Sequence, residues 1–371
     1  MNMMTVSPRE KERYMAMMGK GGSKILHIEH WSNPDAETYL TGIDYYERPR
    51  ECRQRLAELY PMLNLPIPES NAPKKRPDMG ITGTSSNAQR HTVRWGDSES
   101  ATFEHGEKYF KTEEDVFAFH PLQHADFTAW EHVVENWDFS SVEAIYQRLR
   151  KNYPAEWGEK APEFSTASCG FYNTMFMWPM LTFGWEMFLA TCLEEEFAPV
   201  MEEFAEINRR VFRAFAQLPV NFCGCHDDIV MTNGPVCSRE WMNKYIFPRY
   251  EEYWGMMREK GITVTYTTDG KPDVFVDDLY ACGMRGLITE PYCDFKKVAK
   301  KYPDIMLAGE GDNRILTYGT KDDIRKMVES MVETGKMCGG YFMCIGNHIP
   351  WNVPGESIKY YLDYSDKLAW R

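Results

Sequence analysis

Runs of apolar and β-branched residues alternate with runs of helical spacing over the second half of the chain. Five predicted strands, each followed by a predicted helix, are PVNFCGCHDDI, ITVTYTTDG, RGLITEP, DIMLAGEGD and GGYFMCIGNHIP. Repeated strand–helix units predict a parallel sheet, because each helix must return the chain to the start of the next strand. There is no Gly-rich dinucleotide fingerprint, so the 371 residues favour a closed α/β fold. We predict a (β/α)8 TIM barrel of about eight strands, as a single domain over residues 1–371.

The first third of the chain is less regular. A helix is predicted from Pro8 to Met18 and a short strand, KILHIEHW, from Lys24 to Trp31. Residues 64–106 are rich in Pro, Ser, Asn and Gly and contain at most a hairpin around HTVRWGD. This composition predicts a long loop or surface excursion rather than a domain boundary.

Composition excludes several classes of function. The net charge of −13 argues against a nucleic-acid surface, because phosphate binding requires a basic face. No apolar run approaches the ~20 residues that cross a bilayer, and the amino terminus lacks the apolar core of a signal peptide. We therefore expect no membrane contact and a cytoplasmic location. The ten cysteines occur in contexts typical of free thiols, without a C-x-x-C or H-E-x-x-H signature for metal.

Polar residues accumulate at the carboxyl ends of the predicted strands. In a TIM barrel these ends converge at the face that carries the active site. The side chains at such positions are His27, Glu29, His30, His226, Asp227, Asp228, Asp269, Glu290, Glu310, Asp312, Asn347 and His348. Carboxylates and imidazoles grouped in this way predict a site for proton transfer or ligand binding at one end of the barrel.

Five segments resemble the uroporphyrinogen decarboxylase superfamily, which includes the corrinoid-dependent methyltransferases. They are SPREKERYMAMMGK, GPVCSREWMNKYIFPRYEEYW, TTDGKPDVFVDDLYACGMRGL, GEGDNRILTYGTKDDIRKMVE and GGYFMCIGNHIPWNVPGESI. The likeness covers most of the chain, and the last three segments in this order are its most specific part. The resemblance implies a barrel whose active site lies at the carboxyl ends of the strands.

Departures from the superfamily patterns narrow the expected chemistry. The decarboxylases bind porphyrin carboxylates with an Arg-rich motif, which is replaced here by the acidic and aromatic stretch HIEHWSNPDAETYLTGID. Such a stretch would repel a polycarboxylate. The thiol-activating methyltransferases hold zinc with a His-x-Cys pair and a second Cys, and the corresponding positions here are Thr267, Asp269 and Asn347. Zinc held by oxygen and nitrogen ligands stays open, with Asp269, Glu290, Glu310 and Asn347 as its candidate ligands.

The resemblance and these departures lead to one expected function, the methyltransferase component of a corrinoid-dependent O-demethylase. It would move a methyl group from a methoxylated aromatic compound to cobalt(I) on a separate corrinoid protein. A phenolate has a pKa of about 10, so an aryl methyl ether needs a proton donor rather than a thiolate-bound zinc. The candidate catalytic residues are Asp228, Asp269, Glu290, Glu310 and His348. The candidate substrate contacts are Glu29, Trp31, Tyr172, Trp185, His226, Asp227, Tyr266, Asn347 and Trp351, with Trp178 and Phe183 as further pocket walls.

Two other classes of function fit the same residues. One is a metal-independent decarboxylase or lyase on a small aromatic or tetrapyrrole acid, in which an acidic residue protonates a carbanion. The other is a barrel that binds a methylated ligand or a partner without catalysis. Fold does not choose among these functions. Release of CO2 without a corrinoid protein would indicate the first, and tight binding that leaves the ligand intact would indicate the second.

Overall fold

The computed structural model describes residues 6–31, 33–63, 65–74, 110–124 and 138–371, together with the backbone of three strands between residues 83 and 103. The described helices are α1 (Pro8–Met17), α2 (Pro34–Thr41), α3 (Pro49–Leu59), α4 (Glu113–Phe117), α5 (Val142–Arg150), α6 (Met177–Phe183), α7 (Trp185–Thr191), α8 (Phe197–Phe215), α9 (Arg239–Tyr245), α10 (Phe247–Glu259), α11 (Val276–Cys282), α12 (Phe295–Lys301), α13 (Asn313–Tyr318), α14 (Lys321–Met337) and α15 (Gly355–Leu368). The described strands are β1 (Leu26–His27), β2 (Gly83–Asn87), β3 (Arg90–Trp95), β4 (Ser98–Phe103), β5 (Ser168–Asn173), β6 (Phe222–His226), β7 (Val230–Met231), β8 (Gly234–Pro235), β9 (Thr263–Thr268), β10 (Met284–Thr289), β11 (Met306–Ala308) and β12 (Gly340–Met343). Short 3-10 turns cover Pro61–Leu63, Ala155–Trp157 and Pro272–Val274.

One parallel sheet organises this part of the chain. Its seven described strands lie in the order β1, β12, β11, β10, β9, β6, β5, and every ladder between them is parallel. Helices return the chain between successive strands of the sheet, as parallel pairing requires. The predicted α/β architecture of the TIM-barrel type is confirmed, and all five predicted strand–helix units of the second half are present.

The barrel strands are apolar on both faces because helices cover the sheet outside and side chains fill it inside. An inward-facing cluster joins strands β11 and β12 to helix α1 and consists of Ala16, Met306, Ala308, Phe342 and Cys344. Tyr14 of α1 also meets Phe222, the first residue of β6, edge to face with ring centroids 5.5 Å apart. Helix α1 therefore covers the end of the barrel at which the strands begin.

Strands β1 and β5 are the two edges of the described sheet. Residues 65–68 form no strand, and Leu65 and Pro66 line a cleft together with the residues that follow β1. Pro66 and Pro68 lack the N–H that a ladder needs, and the Pro66 carbonyl accepts a hydrogen bond from Arg53 of α3 at 3.0 Å instead. The two prolines therefore disfavour a strand over this segment.

The irregular excursion expected at residues 64–106 falls in part outside the described residues. Within it, β2, β3 and β4 form an antiparallel meander that is separate from the parallel sheet. The hairpin predicted around HTVRWGD is present as β3 and β4, and β2 adds a third strand.

Two further expectations concern the whole chain. No helix among the described ranges is long and apolar enough to cross a membrane. All ten cysteines are free thiols, and nine of them are buried. The cysteines therefore serve as small apolar side chains of the core, as their sequence contexts predicted.

A glycine between β11 and the barrel mouth gives a test of how tightly the strand ends pack. Gly309 has a φ of +109°, and a Cβ built on it would lie 1.8 Å from the carbonyl oxygen of Thr289. We expect Gly309→Ala to lower the free energy of unfolding by about 3 kcal/mol, because strain and a backbone clash add. Gly42→Ala is the matched control, since Gly42 has a φ of +72° but open space around it. It should cost about 1–2 kcal/mol.

Urea unfolding of both variants measures the difference. Equal losses for the two glycines would show that the contact with Thr289 is not tight.

Candidate functional site

Three neighbouring strands bring polar side chains together at their carboxyl ends. Strand β6 ends at His226 and is followed by Asp228, while β9 and β10 are followed by Asp269 and Glu290. Strand β9 pairs in parallel with both β6 and β10, so the three ends lie side by side at the barrel mouth. All four side chains are partly buried. These four residues form the mouth cluster.

Backbone hydrogen bonds orient two of its carboxylates. Asp228 Oδ1 lies 3.1 Å from His226 Nε2 and accepts the backbone N–H of Asp269 at 2.9 Å. Glu290 Oε2 accepts the backbone N–H of Gly270 at 2.8 Å. The turn after β9 thus donates successive N–H groups to carboxylates on either side of it. The carboxyl group of Asp269 itself has no hydrogen bond to a described residue and is affected only by burial and by nearby charges.

Strand β5 supplies two side chains that hold the imidazole of His226. Asn173 Oδ1 lies 2.5 Å from His226 Nδ1, and the Phe171 ring covers the imidazole with centroids 4.7 Å apart. Both ring nitrogens face oxygen atoms, which favours the doubly protonated imidazolium. Sequence reasoning missed Asn173 and Phe171. Strand alternation offered a signal, because both residues must face the side opposite to Tyr172.

Charge is divided unequally within the mouth cluster. Burial raises the pKa of Asp269, and the charges of Asp228 and Glu290 raise it further, to about 6. Burial alone would raise the pKa of Asp228, but the hydrogen bond and charge of His226 lower it below the usual aspartate value. Burial opposes protonation of His226, yet Asp228 raises its pKa. An acid that keeps its proton up to about pH 6 therefore stands beside a carboxylate–imidazolium pair.

A second polar group lies where β1 and β12 end. The backbone N–H of Ile349 donates to His30 O at 2.8 Å, which places His30 beside the turn that carries Asn347 and His348. Asn347 has a φ of +67°, and its Oδ1 lies 3.0 Å from His348 Nδ1. Although the His348 ring still reaches solvent, partial burial and the neighbouring His30 lower its pKa. His348 is therefore a neutral imidazole at neutral pH.

A cleft of about 720 Å³ runs beside β1 and reaches His348. Its lining consists of Arg13, Ile28, Glu29, His30, Trp31, Arg53, Leu63, Leu65, Pro66 and His348. Trp31 Nε1 donates to Glu37 Oε1 at 3.0 Å, and Glu37 is ion-paired with Arg53. The predicted substrate contact Trp31 and the predicted catalytic residue His348 thus border one space of a size that holds a small molecule.

Two predicted site carboxylates face the helix layer instead of the barrel mouth. Glu310 accepts hydrogen bonds from Tyr341 at 2.7 Å and from Thr334 of α14 at 3.0 Å, and burial raises its pKa. Glu29 accepts a hydrogen bond from Tyr361 of α15 at 2.7 Å, and none of its side chain is exposed. Both carboxylates join helices to the sheet, which removes Glu310 from the candidate catalytic set and Glu29 from the substrate contacts.

Asp227 and Tyr266 also serve the structure rather than the mouth. Asp227 is fully buried and accepts the backbone N–H groups of Phe176 and Met177 at 3.1 and 2.7 Å, next to α6, and the hydroxyl of Tyr250 at 2.5 Å. Burial raises its pKa to about 6 in spite of these bonds. The Tyr266 hydroxyl donates to the Asp227 carbonyl at 2.9 Å. These two predicted substrate contacts therefore connect the end of β6 to the surrounding helices.

Most of the other predicted aromatic contacts lie in or against the core. Tyr172 is buried, and its hydroxyl donates to Asn208 of α8 at 3.0 Å. Trp178 and Phe183 are also buried, and Trp185 and Trp351 are half-buried. Aromatic side chains bury large areas, and here most of that area fills the space between sheet and helices.

The donor set does not fit zinc. No group of three or more His, Cys, Asp or Glu among the described residues is arranged to hold a metal ion. Glu290 already accepts a backbone N–H, Glu310 faces α14, and Asn347 meets its neighbouring imidazole. Of the candidate ligands, Asp269 and Glu290 lie together at the mouth, whereas Glu310 faces the helix layer and Asn347 follows the end of β12.

Comparison with known proteins agrees with this architecture. A family model described as uroporphyrinogen decarboxylase (URO-D) matches residues 121–368. Among solved structures, a methyltransferase from Methanosarcina mazei superposes with a TM-score of 0.54 at 16% identity, covering 96% of this chain and 98% of its own. A xylose isomerase-like TIM barrel protein from Mycobacterium smegmatis in complex with magnesium has a TM-score of 0.26 at 13% identity, covering 62% and 90%. No curated protein matches the sequence.

The raised pKa of Asp269 predicts a pH dependence of stability. Because its folded pKa of about 6 exceeds the ordinary 3.8, its stabilisation is full below about pH 4 and is lost as pH rises through about 6. The shift corresponds to about 3 kcal/mol, which solvent screening at this partly exposed site reduces to about 1–2 kcal/mol. Asp269→Asn should therefore gain that amount over the wild type between pH 4 and pH 8.

Urea unfolding across this pH range is the measurement. Asp322→Asn is the control, because Lys326 and Arg325 lower the pKa of Asp322 to about 2 at an exposed position. The unfolding free energy of this control relative to the wild type should not change between pH 5 and pH 8. A difference in unfolding free energy between Asp269→Asn and the wild type that does not change with pH would contradict the raised pKa of Asp269.

Proposed function

The chain belongs to the uroporphyrinogen decarboxylase family, and from this membership and the mouth cluster we propose that it is the methyltransferase component of a corrinoid-dependent O-demethylase. It transfers the methyl group of a methoxylated aromatic compound to cobalt(I) of a corrinoid carried by a partner protein. The observation that carries the proposal is Asp269, an acid with a raised pKa whose carboxyl group has no hydrogen bond to a described residue and stands beside ionised Asp228.

Cleavage of an aryl methyl ether needs a methyl acceptor and a proton for the departing oxygen. When bound, the reduced corrinoid of the partner would supply the electron pair for the new bond to the methyl carbon, and the carbon–oxygen bond would break with its electron pair left on oxygen. Asp269 donates its proton to that oxygen. The products are a phenol, a methylated corrinoid and the Asp269 carboxylate, so charge and atoms balance.

The neighbours of Asp269 suit it to this role. Two carboxylates that share a site do not both ionise readily, and Asp228 takes the charge because His226 pairs with it. Asp269 is left as the proton donor. After transfer, the new carboxylate lies in the field of His226, whose charge acts to lower the pKa of Asp269. This interaction limits the cost of the ionised product state.

Two further observations support the methyl-transfer reaction over decarboxylation of a polycarboxylate. The structural neighbour from Methanosarcina mazei is described as a methyltransferase, and the similarity extends over 96% of this chain. The ionised Asp228 at the mouth would repel a substrate that presents several carboxylates.

The reaction is tested by mixing the protein with a reduced corrinoid protein and a panel of methoxylated aromatics such as guaiacol. The cobalt(I) absorbance should give way to that of the methylated corrinoid, with one phenol released per methyl group. Methylamines and methanol serve as donor controls and should give no change. An unchanged spectrum across the methoxylated panel would refute the proposal. Release of CO2 from aromatic acids without the corrinoid protein would favour the decarboxylase alternative, and binding that leaves the ligand intact would favour the non-catalytic one.

Substitution of the proposed acid gives a sharper kinetic prediction. The wild-type kcat should fall as pH rises above about 6, because Asp269 loses its proton there. Asp269→Asn should lower kcat by roughly 10²-fold at pH 6 and abolish this pH dependence. Glu310→Gln is the control, because that carboxylate faces α14; it should change stability while leaving kcat and its pH profile near the wild type.

Single-turnover measurements separate the methyl-transfer step from product release. The assignment of Asp269 fails if Asp269→Asn keeps both the rate and the pH profile of the wild type, or if Glu310→Gln loses activity to the same extent while remaining folded.

A further inference from the structure

A second cavity lies at the end of the barrel opposite to the mouth cluster. It has a volume of about 470 Å³ and lies between α1, the start of β1, the turn Pro61–Leu63 and the last turn of α15. Its lining consists of Arg9, Glu12, Arg13, Lys24, Ile25, Leu26, His27, Glu58, Leu59, Pro61, Met62, Met343, Ser365, Asp366 and Ala369. Lys24 and Ile25 precede β1, whereas Asp269 follows the end of β9, so this floor cavity is separate from the site of the proposed reaction.

An unpaired cation borders the floor cavity. Arg13 of α1 is half-buried and has no hydrogen bond or ion pair with any described residue. Burial, and next the charge of Arg9, lower the pKa of Arg13, while the charge of Glu10, one turn earlier in α1, acts to raise it. A guanidinium removed from water without a partner is unfavourable, and a ligand carboxylate would supply the two acceptor oxygens that its planar fork matches.

The other charged groups of the lining do not fill this role. Lys24 Nζ pairs with Asp366 at 2.7 Å, and Glu58 pairs with Arg55 at 2.8 Å. Arg9 and Glu12 are exposed at the rim, where their opposite charges offset each other. Arg13 is therefore the one lining cation of the described residues that is both partly buried and unpaired.

A buried hydroxyl gives an independent indication of a polar ligand. Ser365 is fully buried, and its Oγ has no hydrogen-bond partner in the structure. Serine hydroxyls of helices usually bond to a carbonyl of the preceding turn or to water, and buried polar groups are rarely left unsatisfied. Ser365 lies in the lining of the floor cavity, and a turn of its buried side chain would direct the Oγ–H to an acceptor bound there.

Apolar side chains form the rest of the lining. Ile25 and Leu26 come from β1 and the residue before it, Leu59 and Met62 from the end of α3 and the turn after it, and Met343 from the end of β12. A site with one fork-shaped cation, one hydroxyl donor and such walls fits an amphipathic acid better than inorganic phosphate. We propose that the floor cavity binds a small carboxylate with an apolar body, held by the Arg13 guanidinium and the Ser365 hydroxyl.

The proposal is tested with the full chain by calorimetric titration of benzoate, cyclohexanecarboxylate and neutral benzamide. Benzoate or cyclohexanecarboxylate should bind saturably at one site, and benzamide more weakly. Arg13→Met should weaken binding of the acids roughly 10-fold or more, while leaving benzamide unaffected. The variant should also remain folded, because it removes a charge that has no partner. If it does not fold, Arg13→Lys keeps the charge without the fork and should still weaken binding.

Two further variants make the assignment specific. Ser365→Ala should weaken binding of the acids by a few-fold without lowering the melting temperature of the free protein, because it removes an unsatisfied hydroxyl. Arg9→Met removes the same charge from the exposed rim and should have little effect on affinity.

Three outcomes would overturn the proposal. The first is no saturable binding of either acid. The second is equal loss of affinity in Arg9→Met and Arg13→Met, which would indicate general electrostatic attraction. The third is a loss in Arg13→Met with none in Ser365→Ala. Because Arg13 also borders the cleft beside β1, that result would place the ligand in the cleft instead.

Discussion

The crowding of like charges at the ends of three adjacent parallel strands is the constraint on which the site depends. Asp228, Asp269 and Glu290 follow β6, β9 and β10, which pair directly with one another. Two backbone N–H groups and one imidazole accommodate two of these carboxylates. No such donor reaches the third, so Asp269 keeps its proton to a higher pH than a free aspartate. The acid of the proposed reaction thus arises from burial, which is the larger cause, and from the excess of carboxylates over donors.

Strand alternation decides which polar residues reach the mouth. Leu26 and Ile28 pack in the barrel interior, so Glu29 faces α15. The same rule places Asp227 outside and Asp228 inside. Glu310 departs from it, since Ala308 faces inward and the next residue, Gly309, has a positive φ that breaks the alternation. Each carboxylate that is turned outward joins a helix to the sheet through buried hydrogen bonds.

Buried charged groups are accommodated differently at the two ends of the barrel. At the mouth, backbone N–H groups and one imidazole bind two carboxylates, and the third carboxyl group keeps its proton. At the floor, α1 covers the starts of the strands with apolar contacts, yet it also carries Arg13 into a space without an acceptor. One cavity is lined by an unpaired cation and an unsatisfied hydroxyl, and no described residue supplies a hydrogen-bond acceptor to either. A bound anion would supply one.

Much of the fold could be predicted from the local pattern of residues in the sequence. The parallel sheet, the five strand–helix units, the free thiols and the gathering of polar residues at the strand ends follow from periodicity and composition, which neighbouring residues determine. The positions of Asp228, Asp269 and Glu290 at the mouth were predicted on that basis. The pairing of Asn173 with His226 was not, because it depends on the register between β5 and β6, which are separated by three helices.

The sequence by itself determined where each strand ends and which residue types stand there, since those features depend on neighbours in the chain. Only the tertiary structure decided the direction of each side chain and its pairing. A shift of one residue, or one glycine with positive φ, moves a carboxylate from the barrel mouth to the helix layer. Whether Asp269 or Arg13 has a partner depends on groups that lie far away along the chain.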